Sequence, residues 1–109
     1  MPTYDLADVR AAARDGNIQY LSRASDRDAR NLSEVGVYVD TCLSNLDEND
    51  FHETVSFESN GLAGGSFDVY LLNWRNAENV VFPLYIKLKI IIDSEENIIL
   101  LASFHQQRG

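Results

Sequence analysis

The chain has 109 residues and a formal net charge of −8, with 45% hydrophobic and 24% charged residues. This length predicts one domain, residues 1–109, with a modest core, and the composition argues against extensive disorder. The negative charge argues against a general nucleic-acid binder, because such proteins gain affinity from basic surfaces. It is compatible with a local basic site or with a basic protein partner.

Two further features of the composition indicate the compartment. The sequence has no apolar run approaching the roughly 18 to 20 residues of a membrane span, and residues 1–15 lack the pattern of a signal peptide. We therefore expect a cytoplasmic protein without a membrane partner. The single cysteine, Cys42, has no partner for an internal disulfide or a zinc site, so we expect a small buried hydrophobic residue.

The first half of the chain, about residues 5–46, predicts helices. Asp5 and Gly16 are suited to begin and end a helix over about 5–15, where apolar residues recur at helical spacing. Ser25 is the expected N-cap of a second helix over about 26–34.

The remainder of this half is less regular. Residues 17–22 could form a short extended piece, and 37–46 show the spacing of a third helix that ends before the acidic residues 47–50.

In the second half of the chain, alternating residues predict strands over 51–59 and 66–74, followed by two strands within 84–106. The expected fold is α+β, with N-terminal helices packed on a C-terminal antiparallel sheet of about four strands, a β-meander over about 51–106.

The last two strands have a register that the apolar pattern selects. If Asp93 pairs with Asn97 around a three-residue turn, one face is entirely apolar. The residues of that face are Leu84, Ile86, Leu88, Ile90, Ile98, Leu100, Ala102 and Phe104. The opposite face has the pairs Tyr85–His105, Lys87–Ser103 and Lys89–Leu101, and it includes both lysines of the chain.

This second face has the residue types of metal-free RNA cleavage, in which a 2′-hydroxyl attacks the neighbouring phosphate. The reaction needs a base near neutrality, an acid, and cations for the phosphate. His105 is a candidate base or acid, Tyr85 a donor, and Lys87 a phosphate contact, with Lys89 as a further RNA contact. The alternative is an ordinary solvated sheet face.

Five segments in this order, DLADVRAAARDGNI, LSNLDENDFHETVSF, DVY, LYIKLKI and ILLASF, resemble the motility quorum-sensing regulator (MqsR) family of bacterial toxins. The resemblance extends from about Asp5 to His105. It implies a RelE-like fold and metal-independent, cofactor-free cleavage of messenger RNA, neutralised by a cognate antitoxin protein.

The functional residues of that family are only partly present. Tyr85 and Lys87 match its tyrosine-leucine-lysine strand, and His105 stands at its terminal lysine. Glu53 falls at the catalytic lysine, and Phe67 falls at the glutamine before aspartate-valine-tyrosine. The resemblance therefore leaves two readings open, an active endoribonuclease or an inactive acidic relative that binds a basic protein.

Two groups could replace the missing charges. A bulge near His52 could turn its imidazole toward the site as a second catalytic acid or base. Arginines of the helices, Arg23 among them, could reach over the sheet to bind RNA. The alternative for His52 is a polar residue opposite the buried face, and the alternative for the arginines is a solvated helix surface paired with aspartates.

Overall fold

A mixed β-sheet forms the centre of the molecule, and the computed structural model describes residues 1–59 and 61–107. In this part of the chain the strand order is β1-β5-β4-β3-β2. The strands are β1 (Ile18–Tyr20), β2 (Phe51–Phe57), β3 (Gly65–Arg75), β4 (Val81–Asp93) and β5 (Glu96–Gln106), and the helices are α1 (Leu6–Arg14), α2 (Arg23–Ser33) and α3 (Val39–Ser44). Strands β2 to β5 form an antiparallel meander. The predicted α+β class is confirmed.

Local capping explains where the helices begin and end. Asp5 caps α1 as expected, and Gly16, with φ +73°, ends it, because a left-handed residue lets the following amides bond back to the last turn. Helix α2 begins earlier than predicted. Its N-cap is Ser22, and Ser25 instead completes a capping box by accepting a hydrogen bond from the Ser22 amide. None of the helices in the described ranges is long and apolar enough to cross a membrane.

The sheet has one strand more than expected. The predicted extended piece at 17–22 contains β1, which pairs in parallel with Ile99, Leu100 and Leu101 of β5. Three residues are too few to give an alternating pattern, and a parallel partner lies far away in sequence, so only the tertiary structure identifies this strand.

The core lies between the helices and one face of the sheet. Helical residues such as Val9 and Leu43 pack there against alternate strand residues. Those strand residues are Tyr70, Leu72, Leu84, Ile86, Leu88, Ile99, Leu101 and Phe104. Cys42 is fully buried in this core, as predicted, and burial, assisted by nearby Asp40, raises the pKa of its thiol to about 12.

The β4–β5 hairpin follows the predicted register for only part of its length. Tyr85 faces His105 and Lys87 faces Ser103, as expected, but an irregularity after Lys87 places Lys89 opposite Leu100 rather than Leu101. The predicted pairing of Lys89 with Leu101 was therefore wrong, as was the placement of Ile98 and Leu100 on the helix-facing side. Because residues 98–101 are all apolar, a one-residue slip exchanges one apolar residue for another, and the pattern cannot detect it.

The turn of this hairpin has two residues rather than three. Ser94 and Glu95 have φ values of 50° and 68°, and Asp93 pairs with Glu96. Positive φ at both central positions is the type I′ geometry, which matches the right-handed twist of the strands.

We expect Glu95→Gly to stabilise the protein. A left-handed conformation strains a residue with a Cβ atom, so glycine at this position should raise the free energy of unfolding by about 0.5–1 kcal/mol. Chemical denaturation measures the change, and Glu58→Gly, outside the helices and strands, serves as a comparison. A loss of stability in Glu95→Gly would contradict the assigned turn.

A buried carboxylate fastens the N-terminal segment to the sheet. Asp68 has no exposed surface, and its two carboxylate oxygens accept hydrogen bonds from the backbone amides of Thr3 and Tyr4, both at 2.9 Å. The Thr54 hydroxyl donates to the same carboxylate at 2.8 Å. Residues 1–5 are thereby held as a strap that leads into α1.

Candidate functional site

The candidate site lies on the sheet face turned away from the helices, called here the open face. Since Leu84, Ile86 and Leu88 belong to the helix-facing core, strand alternation directs Tyr85, Lys87 and Lys89 to the opposite side. Their cross-strand partners, His105 among them, share that side. The side chains predicted to come together on the last hairpin therefore do lie on one face, uncovered by α1, α2 or α3.

Tyr85 and His105 form the centre of this arrangement. Their rings stack with centroids 5.2 Å apart and planes 10° from parallel. His105 Nδ1 lies 2.8 Å from the carbonyl oxygen of Gln106. Since a carbonyl oxygen only accepts, Nδ1 carries the proton of this hydrogen bond, and in the neutral ring Nε2 keeps its lone pair. The imidazole is thus oriented to act as a base through Nε2.

The Tyr85 hydroxyl is suited to donate rather than to accept a proton. Burial is the main cause that raises the pKa of Tyr85 above its ordinary value, and the negative charge of Glu53 raises it further. The phenol is therefore protonated throughout the neutral range. A protonated phenol can donate a hydrogen bond to a phosphate oxygen.

The two lysines differ in availability. Lys87 is half-buried beside this pair, with Nζ 5.1 Å from the ring centroid of Phe57. Lys89 is only 8% exposed, and its Nζ donates to the carbonyl oxygen of Gly64 at 2.9 Å. It also lies over the ring of Phe67, 5.2 Å from the centroid. Its ammonium group is already bound within the protein, so Lys87 is the better placed phosphate contact.

A bulge in β2 determines which face of the sheet Phe51 and Glu53 occupy. Phe51 pairs with Tyr70 but Glu53 pairs with Val69, and the extra residue between them is His52. Phe51 consequently packs toward the helices, and Glu53 lies on the open face with Val69 and Lys87.

His52 and Glu53 are in direct contact. Nε2 of His52 lies 3.2 Å from Oε2 of Glu53, and both side chains are about half exposed. The bulge considered for His52 is therefore present, and it places this imidazole against a carboxylate of the open face.

Two other residues singled out from the sequence, Arg23 and Phe67, are not available on the open face. Arg23 is the first residue of α2, in the helical layer rather than on the open face. Phe67 is buried beneath Lys89. Within residues 1–59 and 61–107, no group of three or more His, Cys, Asp or Glu side chains is arranged to hold a metal ion.

The cleft beside His105 was not predicted from the sequence. A cleft of about 450 Å³ lies between α2 and the ends of β4 and β5, and His105 is among its lining residues. Gln106 and Gln107, also in its lining, directly follow the catalytic candidate His105 in sequence, and this adjacency was the one sequence signal for the cleft.

Comparison with known proteins finds no family model and no curated sequence that matches this chain.

Proposed function

We propose that the protein is a toxin-like, metal-independent endoribonuclease of the MqsR type, acting on messenger RNA. The observation that supports this most is the stacked Tyr85–His105 pair, with Lys87 two residues along the same strand and the same face. A base, a hydrogen-bond donor and a cation, all partly accessible at one place, are the groups that metal-free RNA cleavage requires.

The proposed reaction assigns a role to each group. Nε2 of His105 removes the proton of the 2′-hydroxyl, whose oxygen then attacks the adjacent phosphorus. Lys87 and the Tyr85 hydroxyl stabilise the charge on the phosphate oxygens. The bond from phosphorus to the 5′-oxygen breaks, and the general acid assigned to His52 supplies the proton that this oxygen takes up. The products are a 2′,3′-cyclic phosphate and a 5′-hydroxyl end.

The same proposal includes the compartment in which the enzyme works and the protein that inhibits it. It works in the cytoplasm, where messenger RNA is found, and a cognate antitoxin blocks it by covering the open face. This face suits such a partner, since half-exposed Phe57 and the Tyr85–His105 stack present apolar surface next to charged groups.

A cleavage assay in EDTA tests the proposal. Purified protein incubated with a mixed messenger RNA should yield discrete fragments whose 3′ ends resist a phosphatase until the cyclic phosphate is opened by acid. Intact RNA after prolonged incubation, both with and without ribosomes, would refute the endoribonuclease proposal.

A second candidate function is that of an acidic binding protein that retains the fold without the chemistry. Glu53 favours it, because this carboxylate of the open face stands where the MqsR family, which the chain resembles, has a catalytic lysine. The net charge of −8 also favours it. Such a protein would bind a basic protein partner. Recovery of a basic protein from lysate at low salt, lost in Glu53→Lys, would support this function together with an absence of cleavage.

We expect Glu53→Gln to bind RNA more tightly than the wild type. A carboxylate at short range repels a phosphate by roughly 1 kcal/mol, so its removal should lower the dissociation constant about fivefold. Fluorescence anisotropy with a labelled, non-cleavable RNA measures this at low salt. Glu96→Gln makes the same charge change at the start of β5, next to the distant hairpin turn, and should have a much smaller effect. Equal effects of the two variants would show that Glu53 does not face the bound phosphate.

A further inference from the structure

The outer edge of β5 is covered by different elements along its length. Strand β1 pairs with Ile99 to Leu101, and the amide of Leu21 donates to the carbonyl of Leu101. The chain then turns into α2, which packs against β5. From Ala102 onward, the neighbour of β5 on this side is therefore a helix and not a strand, and the cleft beside His105 opens between the two.

The lining of this cleft combines apolar surface with groups that form hydrogen bonds. Phe82, Leu32 and Val35 supply an aromatic ring and aliphatic side chains. Asp28 and Asn31 line it from α2, one turn apart on the same side of the helix. The volume of about 450 Å³ is within the range of about 300–1,000 Å³ that is usual for small-molecule sites.

The side-chain amides of Gln106 and Gln107, at and just after the end of β5, complete the polar lining. The Gln107 side chain is oriented by its own Nε2, which donates to the carbonyl of Leu84 at 3.4 Å and leaves the amide oxygen to accept. The Asp28 carboxylate adds oxygens that only accept hydrogen bonds, whereas the Asn31 amide offers both an acceptor and donors.

We propose that this cleft binds one base of the RNA, namely a base that has an exocyclic amino group, and so helps to select the cleavage position. Single-stranded RNA is recognised by stacking of splayed bases on side chains and by hydrogen bonds to their edges. An amino group donates to the Asp28 carboxylate, whereas uracil has carbonyl oxygens on both sides of its one N–H and is repelled. The inference rests on the proposed function.

The position of His105 connects the cleft to the reaction. His105 lines the cleft at the edge of the sheet, and its ring stacks on Tyr85 on the open face. Under this proposal the RNA strand crosses that edge, and the phosphate next to the bound base reaches the imidazole. Fixing a reactant beside a catalytic group lowers the barrier by removing freedom of motion before the reaction. The cleft would act in positioning and selectivity, not in proton transfer.

The test uses binding, so that it does not depend on cleavage. Three labelled 2′-O-methyl hexanucleotides, of adenine, cytosine or uracil alone, cannot be cleaved and are titrated into the full-length protein at low salt. The wild type should bind the adenine and cytosine oligonucleotides at least about fivefold more tightly than the uracil one, the size of a single base contact. Asp28→Asn and Asn31→Ala should reduce this preference. Asn97→Ala, an amide at the other end of β5, should retain it.

Each outcome decides one of the two proposals. Equal affinity for the three oligonucleotides, binding of none of them, or a preference unchanged in Asp28→Asn overturns the base site. A preference that Asp28→Asn removes supports the base site, and if ordinary messenger RNA nevertheless stays intact, only the endoribonuclease proposal fails. Thermal unfolding of both variants should match that of the wild type, because Asn31 is exposed and Asp28 lies on the cleft surface.

Discussion

His105→Ala is expected to reduce the rate of messenger-RNA cleavage by about 10²–10⁴-fold, the usual contribution of a general base. In the wild type, the hydrogen bond from Nδ1 to the Gln106 carbonyl leaves Nε2 as the acceptor for the 2′-hydroxyl proton. Alanine has no group that can take this proton. Single-turnover cleavage of a short labelled RNA, with saturating enzyme, measures the chemical step separately from binding.

Tyr85→Phe is the matched control for this experiment. It retains the ring that stacks on the imidazole and removes only the hydroxyl, so the orientation of His105 is preserved. We expect a smaller fall in rate, about 10-fold to 10²-fold, since one hydrogen bond to the phosphate is lost. If His105→Ala cleaves as fast as the wild type, the imidazole is not the base, and the mechanism proposed for this face is wrong.

Asp68→Asn should be the most destabilising of the substitutions considered, with a loss of about 3 kcal/mol in the free energy of unfolding. Both carboxylate oxygens accept hydrogen bonds from backbone amides, and an asparagine would turn an amino group toward one of them. A buried N–H without an acceptor is costly, and the residue has no exposed surface through which water could compensate. Urea denaturation monitored by tryptophan fluorescence gives the value.

Hydrogen exchange at Thr3 and Tyr4 distinguishes this mechanism from a general loss of packing. In Asp68→Asn these two amides should exchange much faster than those of α1, because the strap detaches first. Asp93→Asn changes an exposed carboxylate at the end of β4 and should stay within about 0.5 kcal/mol of the wild type. Exchange that remains slow at Thr3 and Tyr4 would show that Asp68 does not fasten the strap.

The β4–β5 hairpin shows how much of the strand register the sequence pattern determines. Near its open end, charged or polar residues alternate with apolar ones, and any other pairing would have buried Lys87, so Tyr85 and His105 could be placed opposite one another. Near the turn, residues 90–92 and 98–101 are apolar whichever face they occupy. There the two-residue turn sets the register, and it places Lys89 opposite Leu100.

The β2 bulge is a second feature of the candidate site that the alternating pattern does not predict. The alternation in 51–57 predicts a strand, but it assigns Phe51 and Glu53 to one side. The structure separates them, because Phe51 packs edge-on against Tyr70 near the helices while Glu53 stays in line with Val69. The competing demand of the core for an aromatic ring is a long-range effect that a local pattern does not contain.

The sequence by itself determined the α+β class, the capping of α1 by Asp5, the burial of Cys42 and the common face of Tyr85, Lys87 and His105. All of these depend on periodicity and composition within a few residues. The tertiary structure alone decided the parallel strand β1, the burial of Lys89, the turn of Glu53 onto the open face and the cleft beside His105. These features arise where distant segments meet, and there packing and hydrogen-bond satisfaction outweigh local preference.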